Sequence, residues 1–276
     1  MTRPRVRSAP PDHPLIDWFV DCFLSGAVVG GEHPLSVEDV ARAQVFVPTR
    51  RAAEAVTAAF AASADGGPRL LPRVTPLGDE EAFEEAGAWL DGAATLPPAI
   101  SDLDRKLQLF QLVDKWREVV SASRLSAGKG DPFHVAASRA DAFALAGDLA
   151  RLIDETIIED VPLARLAGAM PEVYEPARHD VYWSMTTRFL QIAASAWPEF
   201  LEKRAILDPS ERVKRGLRAL SGELSARNPR HPVVVLGSTG SVAATADLMA
   251  AVARLPSGAV ILPGLDLDLD EASWAR

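Results

Sequence analysis

The sequence of 276 residues contains a single cysteine, Cys22. One thiol can form neither an internal disulfide nor a cysteine-cluster metal site, which indicates a reducing compartment. Long apolar runs are also missing, because none reaches the roughly 20 residues that a membrane-spanning helix needs. No uninterrupted apolar core follows Arg3, Arg5 and Arg7, so no signal peptide is predicted. These absences favour a cytoplasmic protein without a membrane partner.

Positive charge is in the minority. The 38 acidic residues outnumber the 29 lysines and arginines, which gives a net charge of −9. This balance argues against a module that binds nucleic acid through a general basic surface, but it leaves room for a local basic groove or a basic partner. The histidines lack the paired spacing of metal ligands; they are His13, His33, His134, His179 and His231. The sequence predicts no catalytic residue and no metal site in this chain.

A strand–loop–helix–strand pattern lies near the C-terminus. The apolar run Val233–Leu236 leads into a loop of small residues, namely Gly237, Ser238, Thr239, Gly240 and Ser241. A helix is predicted for residues 242–255, with one apolar face made of Val242, Ala246, Met249 and Val252. A second apolar run follows at residues 259–262. This βαβ pattern with continuous apolar strands predicts a parallel sheet covered on both faces, and the loop would lie at its carboxyl edge.

Three further segments have the composition of strands; they are residues 5–9, 45–47 and 70–77. Pro72 and Pro76 fall within the last of them. Since proline cannot donate to a strand ladder, that strand is predicted to be irregular or to lie at an edge of the sheet. Helices are predicted between the strands, at residues 15–24 and 50–64.

The middle of the chain carries only helical patterns. The predicted helices are residues 79–90, a helix that begins at Ser101, and residues 136–155, 171–200 and 208–226, with a Gly/Ser loop at 123–132. One face of the helix after Ser101 would hold Leu103, Leu107, Phe110, Val113 and Trp116. We therefore predict an α/β domain with a mainly parallel sheet, made of residues 1–79 and 231–276. Residues 80–230 would form an all-helical insertion in it.

The loop at residues 237–241 is open to two interpretations. Its amides could bind phosphate from the start of a helix, where the dipole favours anions. It is not a Walker A loop, because no lysine follows Gly240. The alternative is a tight turn followed by an N-cap, for which glycine and serine are the usual residues.

Thr49, Arg50 and Arg51 follow the strand at residues 45–47 and begin a helix. A hydroxyl and two guanidinium groups in this position could contact a nucleic-acid phosphate. The alternative is that both arginines are ordinary solvent-exposed side chains, and composition alone favours that alternative.

Several short segments together resemble one known family; they are residues 45–53, 71–79, 96–100, 207–212, 237–241 and 262–266. In this order they resemble the N-terminal part of AddB, a family of alphaproteobacterial double-strand break repair proteins, and the match covers nearly the whole chain. AddB proteins work with the AddA subunit as an ATP-dependent helicase–nuclease that processes broken DNA ends for recombination. The resemblance implies a degenerate P-loop domain, similar to superfamily 1 helicases, that carries a helical insertion.

The sequence departs from the helicase motifs at two places. The loop at residues 10–14, where a phosphate loop would be expected, has no Gly-Lys-Thr. Gly237 and Ser238 stand where a strand would end in the carboxylates that hold Mg²⁺ and activate water. Because phosphoryl transfer depends on a lysine, a metal and a positioned water, the resemblance implies no ATPase in this chain. ATP and Mg²⁺ are expected for the complex, and no cofactor is expected in this chain.

The resemblance also implies a DNA contact. Residues 45–53 are similar to a helicase motif that contacts single-stranded DNA, which assigns Thr49, Arg50 and Arg51 to DNA binding. The expected partners are AddA, DNA ends, single-stranded DNA and the C-terminal remainder of AddB. The family's nuclease motifs and iron–sulphur cysteines belong to that remainder and are absent from this sequence, so no nuclease activity is expected of it.

Three functional hypotheses follow. The favoured one is a non-catalytic helicase-like module that scaffolds a DNA repair complex and guides single-stranded DNA. The second is a phosphate- or nucleotide-binding enzyme that uses the loop at residues 237–241. The third is a purely structural interaction domain without DNA contact.

Overall fold

The computed structural model describes residues 4–63, 70–78, 96–127, 138–166, 180–264, 270 and 273. The chain divides into two compact units. Met1–Leu96 and Arg215–Arg276 form the first, which we name the sheet unit, and Pro97–Lys214 form the second, the helical unit. The domain boundaries placed by the sequence at 79/80 and 230/231 stay a prediction.

The strands in the described part of the sheet unit form one five-stranded sheet; they are β1 (Val6–Ser8), β2 (Gln44–Val47), β3 (Arg73–Pro76), β4 (Val233–Leu236) and β5 (Gly258–Leu262). The strand order is β1-β5-β4-β2-β3, and every neighbouring pair is parallel. The predicted α/β class with a parallel sheet is thus confirmed. The proline-containing strand β3 lies at one edge, as its composition indicated.

The main helices of the described residues are α1 (Leu15–Leu24), α2 (Val37–Arg42), α3 (Arg50–Ala62), α4 (Asp102–Ala127), α5 (Arg139–Ile158), α6 (Asp180–Lys203), α7 (Pro209–Arg227) and α8 (Ala243–Ala253). Ala27–Val29 form a short 3-10 helix, and residues 163–166 are also helical. The predicted helix at residues 79–90 lies outside the described residues, as do residues 171–179 before α6. Residues 123–127, predicted as the start of a loop, are the last turn of α4 instead. These five residues are serine, arginine, leucine and alanine, none of which is a strong helix breaker, so the helix continues through them.

The inner strands β2, β4 and β5 are largely apolar without alternation because both faces of the sheet are covered there. On one face, Phe19 and Phe23 of α1 meet Phe60 of α3, with ring centroids 6.0 and 5.4 Å apart. Val234 and Leu236 of β4 belong to this cluster. The intervening residues of β4 point to the opposite face, where α8 packs against β4 and β5. Such double coverage is typical of parallel sheets.

The buried face of α8 differs from the predicted one. The residues it buries most deeply are Ala244, Leu248 and Val252, whereas Ala246 is exposed and Val242 and Met249 are only half-buried. Alanine fills much of this helix, so its hydrophobic pattern has little contrast between faces. In α4, Val113 and Trp116 are buried as predicted, and Leu109, which was not predicted, is buried with them. Leu103 and Leu107, predicted for the buried face, are 66% and 40% exposed.

Within the helical unit, the two ends of the chain segment meet. Ala99 and Leu207 form a single parallel bridge, in which Leu207 N donates to Pro98 O at 2.9 Å and Ile100 N donates to Leu207 O at 2.9 Å. The all-helical prediction for this part of the chain did not include this pairing. The start of the unit thus lies beside the residue that precedes Asp208 and α7.

A buried charge cluster joins four helices of the helical unit. Arg105 of α4 is 7% exposed and donates from Nε to Asp208 Oδ2 at 3.0 Å. Its terminal nitrogens donate to both carboxylate oxygens of Asp154 in α5, at 2.8 and 3.1 Å. Asp208 also accepts from Trp197 Nε1 of α6 at 3.1 Å and from the Ser210 amide of α7 at 3.2 Å. Burial raises the pKa of Asp208, although Arg105 and Trp197 both act to lower it.

We predict that Arg105→Ala destabilises the protein by about 3–5 kcal/mol, because removing one partner leaves the other buried charges uncompensated. The matched control is Arg151→Ala, since Arg151 pairs with Asp148 at the surface and its side chain is 75% exposed. This control should cost less than about 1 kcal/mol. Urea unfolding measures both changes, and equal midpoints for the two variants would contradict the assignment.

A second prediction concerns Gly258, the first residue of β5. A Cβ atom there would overlap the carbonyl oxygen of Val252 and lie 2.8 Å from Leu255 Cβ. Gly258→Ala should therefore destabilise the sheet unit by about 1–3 kcal/mol. At Gly222 of α7 an added Cβ meets nothing within 4 Å, so Gly222→Ala should stabilise by about 0.5–1 kcal/mol through helix propensity. Opposite shifts of the unfolding midpoint are the expected result, and a neutral Gly258→Ala would refute the steric argument.

Candidate functional site

The strand order creates a point where two chain connections diverge. From β2 the chain passes through α3 to β3 on one side, and from β4 it passes through α8 to β5 on the other. β2 and β4 are direct neighbours, with Phe46 opposite Val235. In open α/β sheets, ligands bind in the crevice outside the carboxyl ends of the strands where the order reverses. We name this place the switch-point crevice.

Both site segments predicted from the sequence border this crevice. The register of β2 and β4 brings Pro48 level with Gly237, and neighbouring strands lie about 4.8 Å apart. Residues 49–51 therefore leave the sheet beside residues 237–241. Neither segment indicated the other in the sequence, because only the strand order makes them neighbours.

Thr49, Arg50 and Arg51 form the start of α3. Thr49 is the N-cap residue, and its Oγ1 accepts a hydrogen bond from the Ala52 amide at 3.1 Å. The hydroxyl thus has a structural task that the sequence prediction did not assign to it. Arg50 and Arg51 are both exposed.

The electrostatics at this helix start favour an anion. The first turn of α3 holds two arginines and no acidic residue, although the positive end of the helix dipole lies there. Cations at this end are unfavourable by about 0.3–1 kcal/mol each. A bound phosphate would interact favourably with both guanidinium groups and with the dipole, which gives these arginines a use beyond solubility.

The loop at residues 237–241 is a tight turn. Gly237 and Gly240 have φ angles of 73° and 69°, which side chains other than glycine rarely adopt. The Gly237 amide donates to Ile261 O at 2.8 Å, so it belongs to the sheet and not to a phosphate cradle. Ser238 is buried, and its Oγ accepts from the Gly240 amide at 3.4 Å. Three of the five predicted phosphate-binding residues, Gly237, Ser238 and Gly240, therefore serve the turn itself.

The helix after this loop begins without a side-chain cap. Its N-cap residue is Val242, which has no hydroxyl or carboxylate, and within the described part of the chain no side chain caps the helix. The interpretation of the loop as a turn followed by a small-residue N-cap is thus right for the turn and wrong for the cap. Thr239 and Ser241 remain exposed beside the uncapped helix start.

The loops after β1 and β5 meet at the far side of the same edge. Gly264 lies close to Pro11, since an added Cβ would be 3.2 Å from the Pro11 Cα atom. Asp12 and His13 form an exposed ion pair of 3.0 Å there, and the hydrogen bond from His13 lowers the pKa of Asp12. No sequence pattern predicted a role for this pair. Its two members are adjacent in the chain, a spacing that carries no recognisable signal.

The described residues were also searched for metal-binding groups and membrane-spanning helices, and the sequence was compared with known proteins. Within the described ranges, no group of three or more histidine, cysteine, aspartate or glutamate side chains is arranged to hold a metal ion. None of the helices in these ranges combines the length and apolar character that crossing a bilayer requires. No protein-family model matches the sequence, and no curated protein is significantly similar to it.

We predict that the chain hydrolyses no ATP above background, with or without single-stranded DNA. The crevice has neither a phosphate-loop lysine nor paired carboxylates at the end of β4, which phosphoryl transfer requires. Release of inorganic phosphate is the measurement, and a double variant with Thr239→Ala and Ser241→Ala is the control. Turnover in the parent chain that disappears in this variant would contradict the prediction.

Proposed function

We propose that this chain is a non-catalytic, helicase-like module of an AddB-type DNA repair protein, which guides single-stranded DNA along the carboxyl edge of its sheet. Its partners would be AddA, DNA ends and the C-terminal nuclease part of such a protein. ATP and Mg²⁺ would act elsewhere in the assembled complex. The proposal combines the resemblance of the sequence segments with the geometry of the switch-point crevice.

One observation carries the proposal. Residues 49–51, which resemble a DNA-contacting helicase motif, lie at the place where parallel sheets bind their ligands. Arg50 and Arg51 are exposed there on an acidic chain. A chain with a net charge of −9 does not attract nucleic acid through its surface as a whole. A segment that binds phosphates on such a chain therefore needs its own positive charge.

The chemistry of the crevice favours guiding over catalysis. β4 ends in Leu236 and continues with glycine and serine, so no carboxylate follows it directly to hold a metal. The amides and hydroxyls beside α8 can donate to a phosphate but cannot activate water. These groups fit a strand of nucleic acid that passes through the site unchanged.

A phosphate- or nucleotide-binding enzyme is the second candidate. The uncapped start of α8 favours it, because free amides at the positive end of a helix bind anions. A nucleotide-dependent rise in the melting temperature would support this candidate. If nucleotide does not raise the melting temperature, we expect the uncapped start of α8 to contact phosphates of the DNA backbone instead.

The proposal predicts that Arg50→Ala combined with Arg51→Ala weakens binding of single-stranded DNA and lowers its salt dependence. For every phosphate that the variant no longer neutralises, the slope of log K against log salt should fall by about 0.7, without sequence preference. Fluorescence anisotropy of a labelled oligonucleotide, measured across a salt series with AddA present, gives both quantities.

The matched control is Arg42→Ala combined with Arg230→Ala. It removes the same charge from exposed positions just before β2 and β4, at the amino edge of the sheet. Binding should keep its slope in this variant. If both double variants behave alike, or if neither differs from the parent protein, the 49–51 segment does not bind the DNA.

A further inference from the structure

Three flat side chains form a column at the end of α6 in the helical unit. Trp197 and Phe200 are three residues apart on one side of α6, and Arg204 follows directly after the helix ends at Lys203. The rings of Trp197 and Phe200 are stacked at 5.4 Å with an interplanar angle of 13°. The guanidinium carbon of Arg204 lies 4.7 Å from the centroid of the Phe200 ring. The column thus runs from a buried indole to a surface guanidinium.

The inner end of the column is fixed. Trp197 is 5% exposed, and its indole nitrogen donates to Asp208 Oδ2 at 3.1 Å. Asp208 is itself held by Arg105 at 3.0 Å. The Trp197 ring therefore provides a rigid base on which Phe200 lies.

The outer end of the column is open. Phe200 is half-buried and Arg204 is exposed. Within the described residues Arg204 forms no ion pair, whereas its neighbour Lys203 pairs with Glu199 at 2.6 Å. The guanidinium carbon lies over the phenyl ring while the side chain is exposed, so a further flat group can approach it from the solvent.

We propose that this column is a stacking platform for an unpaired base of single-stranded DNA. Aromatic rings and guanidinium planes are the groups on which proteins stack unpaired bases, largely without regard to sequence. The inference rests on the proposed function, since the ligand is the same single-stranded DNA. The platform would contact its bases, whereas Arg50 and Arg51 would contact its phosphates.

The test compares two probes that carry the same phosphates. One is an oligodeoxythymidine of about 12 nucleotides, a length suited to single-strand binding sites, and the other is an abasic oligonucleotide of equal length. The full chain should bind the oligodeoxythymidine more tightly, by about tenfold for one stacked base. Fluorescence anisotropy at several salt concentrations gives the affinity ratio and the salt slope separately.

Arg204→Lys is the informative variant, because it keeps the charge and removes the planar group. The affinity ratio should fall severalfold towards one while the salt slope stays unchanged. Phe200→Leu should also lower the ratio, since leucine keeps apolar bulk but offers no aromatic face. Arg188→Lys, at an exposed arginine of the same helix, is the control and should leave the ratio as it is.

The outcomes separate this inference from the proposed function. Equal binding of the two probes by the parent chain, or a ratio that survives both Arg204→Lys and Phe200→Leu, would reduce the column to internal packing and overturn the inference. If the double variant with Arg50→Ala and Arg51→Ala still lowers the salt slope of binding, that result would continue to support the proposed function. With AddA present, as in the test of the proposed function, failure to bind either probe at low salt would overturn both, whereas a ratio that responds to Arg204→Lys supports the platform on its own.

Discussion

The pairing of β2 with β4 is the interaction on which the sheet unit depends. β2 ends at Val47 and β4 begins at Val233, yet their backbones form one parallel ladder. Joining such distant segments costs chain entropy, and the apolar burial on both faces of the sheet offsets this cost. The ladder also brings the 49–51 segment beside the 237–241 loop, so the candidate site exists only in the folded sheet and in neither loop alone.

In the helical unit, the guanidinium of Arg105 has the comparable role. It contacts carboxylates from two separate segments, Asp154 and Asp208, and a desolvated charge of this kind tolerates few alternative packings. The hydrogen bond from Trp197 to Asp208 connects the cluster to the aromatic column. The Arg105 cluster is thus connected to the exposed Arg204 through a series of contacts. Asp208 accepts from Trp197, the Trp197 ring stacks with Phe200, and Arg204 lies over Phe200.

Local chemistry determined what the sequence could predict. The apolar strands, the proline-marked edge strand and the Asp208-Pro209 helix start follow from residues close together in the chain. The buried faces of α4 and α8 followed only in part, since partner helices cover some of several nearly equivalent apolar residues. Val113, Trp116 and Val252 are buried as predicted, whereas Leu103, Leu107 and Ala246 are exposed. For the candidate site, both segments were predictable, but their proximity depended on the strand order. The Arg105 cluster joins residues far apart in sequence, which no local pattern marks.

The bridge between Ala99 and Leu207 has an evolutionary consequence. A folded segment whose two ends lie together can be inserted, removed or exchanged as one piece, because the host chain needs to open at a single position. The sheet can then keep its strand order while the inserted unit changes in size or specificity.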